Sequence, residues 1–95
     1  MIKSEFKQML QNLAKKNGTN QDVFVLEEMS ELQKELMKHR RGKNNRNQIV
    51  DECADVILTI YILLIVYKAS DIEIDDLMSY KLNRLRDFLP EADEE

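Results

Sequence analysis

Apolar residues recur at intervals of three and four along most of the chain, and the breaks in that rhythm mark out four predicted helices. Phe6, Met9, Leu10 and Leu13 follow Ser4, a candidate N-cap, and the lysines ahead of Gly18 suit a helix C-terminus. They predict a first helix over about Ser4 to Lys16. Thr19 and Asp22 stand three apart in the manner of a capping box, and Phe24, Val25, Met29, Leu32, Leu36 and Met37 then carry a second helix toward Arg40. The segment RRGKNNRN interrupts the rhythm with Gly42 and predicts a tight turn between helices. A third helix follows from about Asn45 to Ala69, with Ile49, Cys53, Val56 and Ile57 on one stripe. Its second half, VILTIYILLIVY, is apolar on almost every side, so at least one further face requires cover. The β-branched residues there make a strand the rival reading. Without alternation or internal turn signals, and continuing a helical pattern, the run is read as helix. After SDIEI, Asp75 is a candidate cap for a fourth helix whose Leu77, Leu85, Phe88 and Leu89 face inward, with Met78 and Leu82 near that face. Pro90 ends it, and the acidic residues 91–95 read as a disordered, solvated tail.

Composition sharpens this to one architecture. With 95 residues the chain fits a single domain, taken as 1–90, and Gly 2 and Pro 1 leave little turn vocabulary for a sheet protein. The expected fold is all-α: a small helical bundle around a central antiparallel hairpin, completed by oligomerisation. A net charge of -4 gives no overall bias toward nucleic acid. The lone Cys53 excludes an intrachain disulfide framework. The N-terminal stretch lacks the apolar core of a secretory signal, and the run from Val56 to Tyr67 falls short of the roughly 20 residues that cross a bilayer. A soluble, cytoplasmic protein without a membrane partner is expected.

The acidic residues add candidate chemistry. Glu28 and Glu31 are three apart on the second helix, and Glu52 and Asp55 are three apart on the third, so each pair shares a helix face despite mutual repulsion. In an antiparallel hairpin, Glu28 opposite Asp55 and Glu31 opposite Glu52 share one midpoint, between Arg41 and Gly42, inside the turn inferred from composition. Four carboxylates at one height call for a divalent cation, and an all-oxygen set suits Mg²⁺ or Mn²⁺ better than zinc. A di-iron bundle is disfavoured, because His39 is the only histidine and Leu36 stands three residues before it. The bland alternative is that these acids, with Glu27 and Asp51, solvate two helix surfaces. Spacing alone leaves both open.

The two pairs, their spacer and their flanking letters, EEMSELQKEL and DECADVILTI, resemble the signature of the MazG-like all-alpha nucleoside triphosphate pyrophosphohydrolases. YKLNRLRD is similar to the basic segment of the helix that follows in that family, so the resemblance covers about Val23 to Asp87. It implies a Mg²⁺-dependent enzyme that splits a nucleoside triphosphate into monophosphate and pyrophosphate and works as a homodimer or homotetramer. Glu28, Glu31, Glu52 and Asp55 would then hold the metal, with Glu31 and Glu52 as catalytic candidates and Glu31 as the water-orienting base. Lys81 and Arg84, with Asn83 beside them, would receive substrate phosphate.

Other residues carry weaker signals. Phe6, Phe24 and Tyr80 could stack on a base, although aromatics so placed are more often core; Gln8, Gln11 and Asn12 are conceivable polar contacts. Lys34 and Lys38 could assist with phosphate. Cys53 reads as a buried structural thiol and His39 as solvated. Lys38, Arg40, Arg41, Lys43 and Arg46 form a basic turn that keeps a nucleic-acid-binding module in play, and a helical oligomerisation module without catalysis is the third reading.

Overall fold

Helix boundaries in this chain are set by backbone capping more than by side chains. In the computed structural model, which describes residues 2–90, α1 spans Lys7–Asn17, α2 Gln21–Arg40, α3 Arg46–Val66 and α4 Asp71–Leu85. Single 3-10 turns at Ser4–Phe6, Gly18–Asn20 and Arg86–Phe88 complete the all-α fold. The predicted acidic tail, 91–95, lies outside the described residues.

Two helices end in the same way. At the end of α2, Lys43 N–H donates to Lys38 C=O at 3.1 Å and Gly42 N–H donates to His39 C=O at 2.9 Å. At the end of α3, Ala69 N–H donates to Leu64 C=O at 3.0 Å and Lys68 N–H to Ile65 C=O at 2.9 Å. Both are Schellman closures, which need a left-handed residue just past the helix. Gly42 takes that conformation at φ 99, whereas Lys68 takes it at φ 59 with a full side chain.

The N-caps differ from the sequence expectation. Ser4 lies inside the first 3-10 turn and caps nothing with its hydroxyl, and no side-chain bond forms at Asn20, the N-cap of α2, so Thr19 and Asp22 make no capping box. Ser70, not Asp75, caps α4: its Oγ accepts from Glu73 N–H at 3.1 Å. The chain offers several capping residue types within a few positions of each start, and the turn leaving α3 selects the one that is used.

The α2–α3 hairpin is the main packing unit, and its register is visible in two buried amides. Gln21 Nε2 donates to Thr59 C=O at 3.1 Å, and its Oε1 accepts from Asn17 Nδ2 at 2.7 Å. Asn45, the N-cap of α3, turns its Nδ2 back onto Glu35, reaching the carbonyl at 2.8 Å and Oε1 at 3.2 Å. Both tethers join residues equidistant from Arg40, so α2 and α3 run antiparallel about that position. Along α2, Gln21, Val25, Glu28, Leu32 and Glu35 are the least exposed residues, at coiled-coil spacing. Asn45, Ile49, Glu52, Val56 and Thr59 form the matching line of α3.

On a neighbouring face of α3, α1 supplies Leu10 and Ala14 to a core with Ile62, flanked by Ile2, Leu13, Tyr61, Ile65 and Val66. Helix α4 departs from the expected bundle. It makes no extensive packing with α1, α2 or α3, its main contacts being with the 3-10 turn that follows it. Leu77, Met78, Leu82, Leu85, Phe88 and Leu89, expected to lie in or near the core, are all exposed. Periodicity gave them a common face but could not supply the surface to bury it against.

Gly42→Ala tests the closure of the hairpin. Nothing lies within 4 Å of an added Cβ, so the whole effect comes from the positive φ. We expect a loss of about 1 kcal/mol in urea-induced unfolding, with unchanged helical content by circular dichroism.

Candidate metal centre

The hairpin seam alternates polar and apolar levels. Its two outer polar levels, Gln21 with Thr59 and Glu35 with Asn45, are joined by hydrogen bonds across the seam. Glu28 and Glu52 form the polar level between them, also equidistant from Arg40. Two carboxylates there cannot hydrogen-bond each other while both are ionised. Glu52 Oε2 is buried with no hydrogen-bond partner. The only other such side-chain atom among the described residues is Asn45 Oδ1, whose amide nitrogen is already used twice.

Asp55 joins this level from the same face of α3, about 4.5 Å further along the helix axis than Glu52. One oxygen from each of Glu28, Glu52 and Asp55 lies within 4.8 Å of the others, and all three residues are half-buried. The electrostatics agree with the geometry. Partial burial is the leading cause that raises the Glu28 carboxyl above its ordinary range, followed by repulsion from Asp55 and Glu31. Partial burial likewise raises Glu52, followed by repulsion from Asp55 and Glu28. Glu35 moves the other way. Hydrogen bonds from Lys38, then Asn45, hold it below the ordinary range, and its ion pair with Lys38 is 2.9 Å long.

The structure therefore brings together three of the four carboxylates singled out by spacing. Glu31 lies one turn nearer the hairpin tip, is exposed, and makes an ion pair with Lys34 at 3.2 Å. The equal-distance pairing placed the midpoint between Arg41 and Gly42, whereas the two amide tethers centre on Arg40. With that register Glu28 faces Glu52 directly, and Glu31 and Asp55 flank the pair on opposite sides. Glu27 and Asp51 are exposed beside the cluster.

Lys81, Asn83 and Arg84 all lie on α4, away from the carboxylates of the same chain. Arg84 rests over the Tyr80 ring, 6.0 Å from its centroid. Lys81 and Arg84 line an open concavity with Leu85, Asp87 and Phe88. Phe6, Phe24 and Tyr80 are exposed rather than core. Cys53 is half-buried and unpaired, and His39 is exposed near the hairpin tip. The residues that sequence spacing passed over are Gln21 and Asn45, uncharged amides whose seam positions set the register.

The donor set fits a hard divalent cation. Three carboxylates supply oxygen ligands only, one of the oxygens lacks any protein partner, and no imidazole or thiolate is grouped with them. No described helix is long and apolar enough to cross a membrane. No family model matches the chain, and neither a curated protein nor a solved structure matches it significantly.

Because Glu28 and Glu52 are raised in the folded state, their contribution to stability is fully present below the ordinary carboxylate value of 4.5 and is lost as pH rises through their raised values. Glu35 has the opposite sign and acts below 4.5, so the two windows separate. Metal-free protein is expected to lose thermal stability as the pH climbs above 4.5 through the raised values of these carboxyls, and millimolar Mg²⁺ or Mn²⁺ is expected to restore it. In Glu52→Gln both the decline and the rescue should shrink. Melting curves with and without EDTA that coincide at every pH would refute the site.

Proposed function

We propose that the chain is a Mg²⁺-dependent nucleoside triphosphate pyrophosphohydrolase, releasing a nucleoside monophosphate and pyrophosphate. The observation that carries this reading is the middle seam level, where Glu28 and Glu52 meet with Asp55 and leave Glu52 Oε2 without a partner. Glu28, Glu52 and Asp55 would hold the ion. The bound cation would supply charge neutralisation for a polyphosphate, the main requirement of phosphoryl chemistry. The resemblance to MazG-like enzymes, carried by the same acidic pairs and by YKLNRLRD, supplies the substrate class.

Within this reading the chain's residues divide the work. Glu31, next to the trio but turned outward to Lys34, is the carboxylate left to orient a water and take its proton. The water oxygen joins phosphorus at the α–β link, the bridging P–O bond breaks, and pyrophosphate departs. Lys81 and Arg84, which lie away from the carboxylates of their own chain, would receive phosphate oxygens at the site of a second copy, Arg84 through its forked guanidinium, with Asn83 as a neutral donor. Glu52 would serve as a ligand, its partly buried carboxylate having one oxygen with no protein partner to compete for the ion.

The test is a panel of canonical and modified nucleoside triphosphates incubated with purified protein and Mg²⁺, with both products identified. Monophosphate with pyrophosphate is expected for at least one substrate. Glu31→Gln and Glu52→Gln should each lower turnover by at least about 100-fold with the helical content intact. No turnover across the panel, or full activity in both variants, would remove the enzymatic reading.

A further inference from the structure

The net charge of -4 conceals a segregation. Between Glu35 and Asp51 the chain places five of its 14 basic residues and none of its 18 acidic ones, so a stretch of +5 is joined to a remainder of -9. The fold gathers that stretch at one end. Lys38, Arg40, Arg41, Lys43 and Arg46 occupy the closed tip of the α2–α3 hairpin, and every one of them is exposed. Lys38 has a carboxylate partner, Glu35 at 2.9 Å. Arg40, Arg41, Lys43 and Arg46 pair with no carboxylate among the described residues, and Arg46 reaches the Asn47 amide oxygen at 3.1 Å.

Helix stability accounts for part of this set and not for the rest. Cations in the last turn of α2 suit the negative end of that helix, which covers Lys38 and Arg40. Arg46 opens α3, where the same rule favours an acid, and the first turn holds none. The Schellman closure also uses up acceptors at the tip: the carbonyls of Met37, Lys38 and His39 take the N–H groups of Arg41, Lys43 and Gly42. Nor does the carboxylate cluster cancel the charge. Arg40 stands twelve residues beyond Glu28 on α2, about 18 Å along the axis and more than twice the screening length of about 8 Å at physiological salt.

The residue types at the tip point to the partner. Three of the five cations are arginines, whose planar forks match phosphate oxygens. Asn44, Asn47 and Gln48 beside them are exposed and add neutral hydrogen-bonding groups. From Lys38 to Gln48 there is no apolar side chain to enter a lipid surface, and no Phe, Tyr or Trp on which an unpaired base could stack. Phosphate recognition without either kind of anchor suits the backbone of a duplex.

We infer that the basic tip of the α2–α3 hairpin is a docking surface for double-stranded nucleic acid, holding its phosphate backbone without reading its sequence. The surface is separate from the carboxylates, so it stands whether or not the chain hydrolyses nucleotides.

Fluorescence anisotropy of two labelled duplexes of unrelated sequence, titrated with the full chain in EDTA, tests it. The chelator removes any bridge through a metal at Glu28 and Glu52. Both duplexes are expected to bind alike. Four unpaired cations predict a logarithmic salt slope of about -3.6, a loss of about 100-fold in affinity between about 50 and about 200 mM salt. Arg40→Gln with Arg41→Gln should reduce that slope by about two and weaken binding at low salt by at least about 10-fold. Lys15→Gln with Lys16→Gln, an equal change of net charge on exposed residues of α1, should leave both unchanged. Absence of binding at low salt overturns the inference, as does binding that the two pairs of substitutions weaken equally. Tighter binding to a single strand of the same length assigns the tip to unpaired bases instead, and tighter binding to vesicles containing phosphatidylserine assigns it to a lipid surface. Full displacement of the duplex by an equimolar nucleoside triphosphate likewise overturns it, in favour of a free polyphosphate.

Discussion

Glu28 and Glu52 repel each other across the centre of the α2–α3 hairpin, the main packing unit among the described residues, and much of the surrounding structure is arranged around that fact. A hairpin seam filled with leucine and valine at this level would carry no such repulsion, and replacing buried charges by well-packed apolar groups is often neutral or favourable. The chain instead ties the seam on both sides of the repulsion with buried amides. Gln21 reaches Thr59 at one end and Asn45 reaches Glu35 at the other, each spanning the gap with a hydrogen bond that only one register satisfies. A one-turn slip would leave two nearly inaccessible amides without partners, at a cost of about 1 to 3 kcal/mol for each group lost. The tethers thus hold two like charges at a fixed separation, which is what a cation site requires and what folding alone would not select.

The same arrangement explains which parts of the site were legible in the sequence. The acidic pairs stood out because like charges three residues apart are uncommon on a solvated helix, and composition alone located the turn between them. Register was harder. Carboxylates at a spacing of three favour the pairing that matches all four, Glu28 with Asp55 and Glu31 with Glu52, and only the tethers reveal the register in which Glu28 faces Glu52. Gln21 and Asn45 carry no charge and belong to no periodic apolar stripe, so nothing in the sequence distinguishes them from surface amides. The consequence is local but chemical: Glu31 moves from the centre of the predicted set to its edge, while Asp55 remains within the cluster.

Helix ends show a related limit. The predicted extents of α2 and α3 are close to those observed, because Gly42 and the loss of periodicity mark the hairpin clearly. At α4 the cap falls on Ser70 rather than Asp75, since the left-handed turn at Lys68 redirects the chain early enough for the serine hydroxyl to meet Glu73 N–H. A lysine at that position gives no hint in sequence of a positive φ, which is ordinarily the signature of glycine or asparagine.

Helix α3 ties the seam to the rest of the molecule. An apolar helix surrounded on all sides has to be matched by as many neighbours as it has faces. Here α2 occupies one face through a seam weakened by its charged middle, and α1 occupies a second with little more than Leu10, Ala14 and their flanking residues. Those contacts bury few large side chains, and a domain below about 100 residues has little margin to absorb an internal repulsion. The third face of α3 and the stripe of α4 hold the apolar area that the seam forgoes. Burial of that area would stabilise the hairpin from its outer side, where packing does not disturb the carboxylates. The charged centre and the open outer stripes are therefore complementary features of one arrangement: polarity concentrated where two helices of the chain meet, and apolar surface displaced to the outer side of the hairpin and to α4.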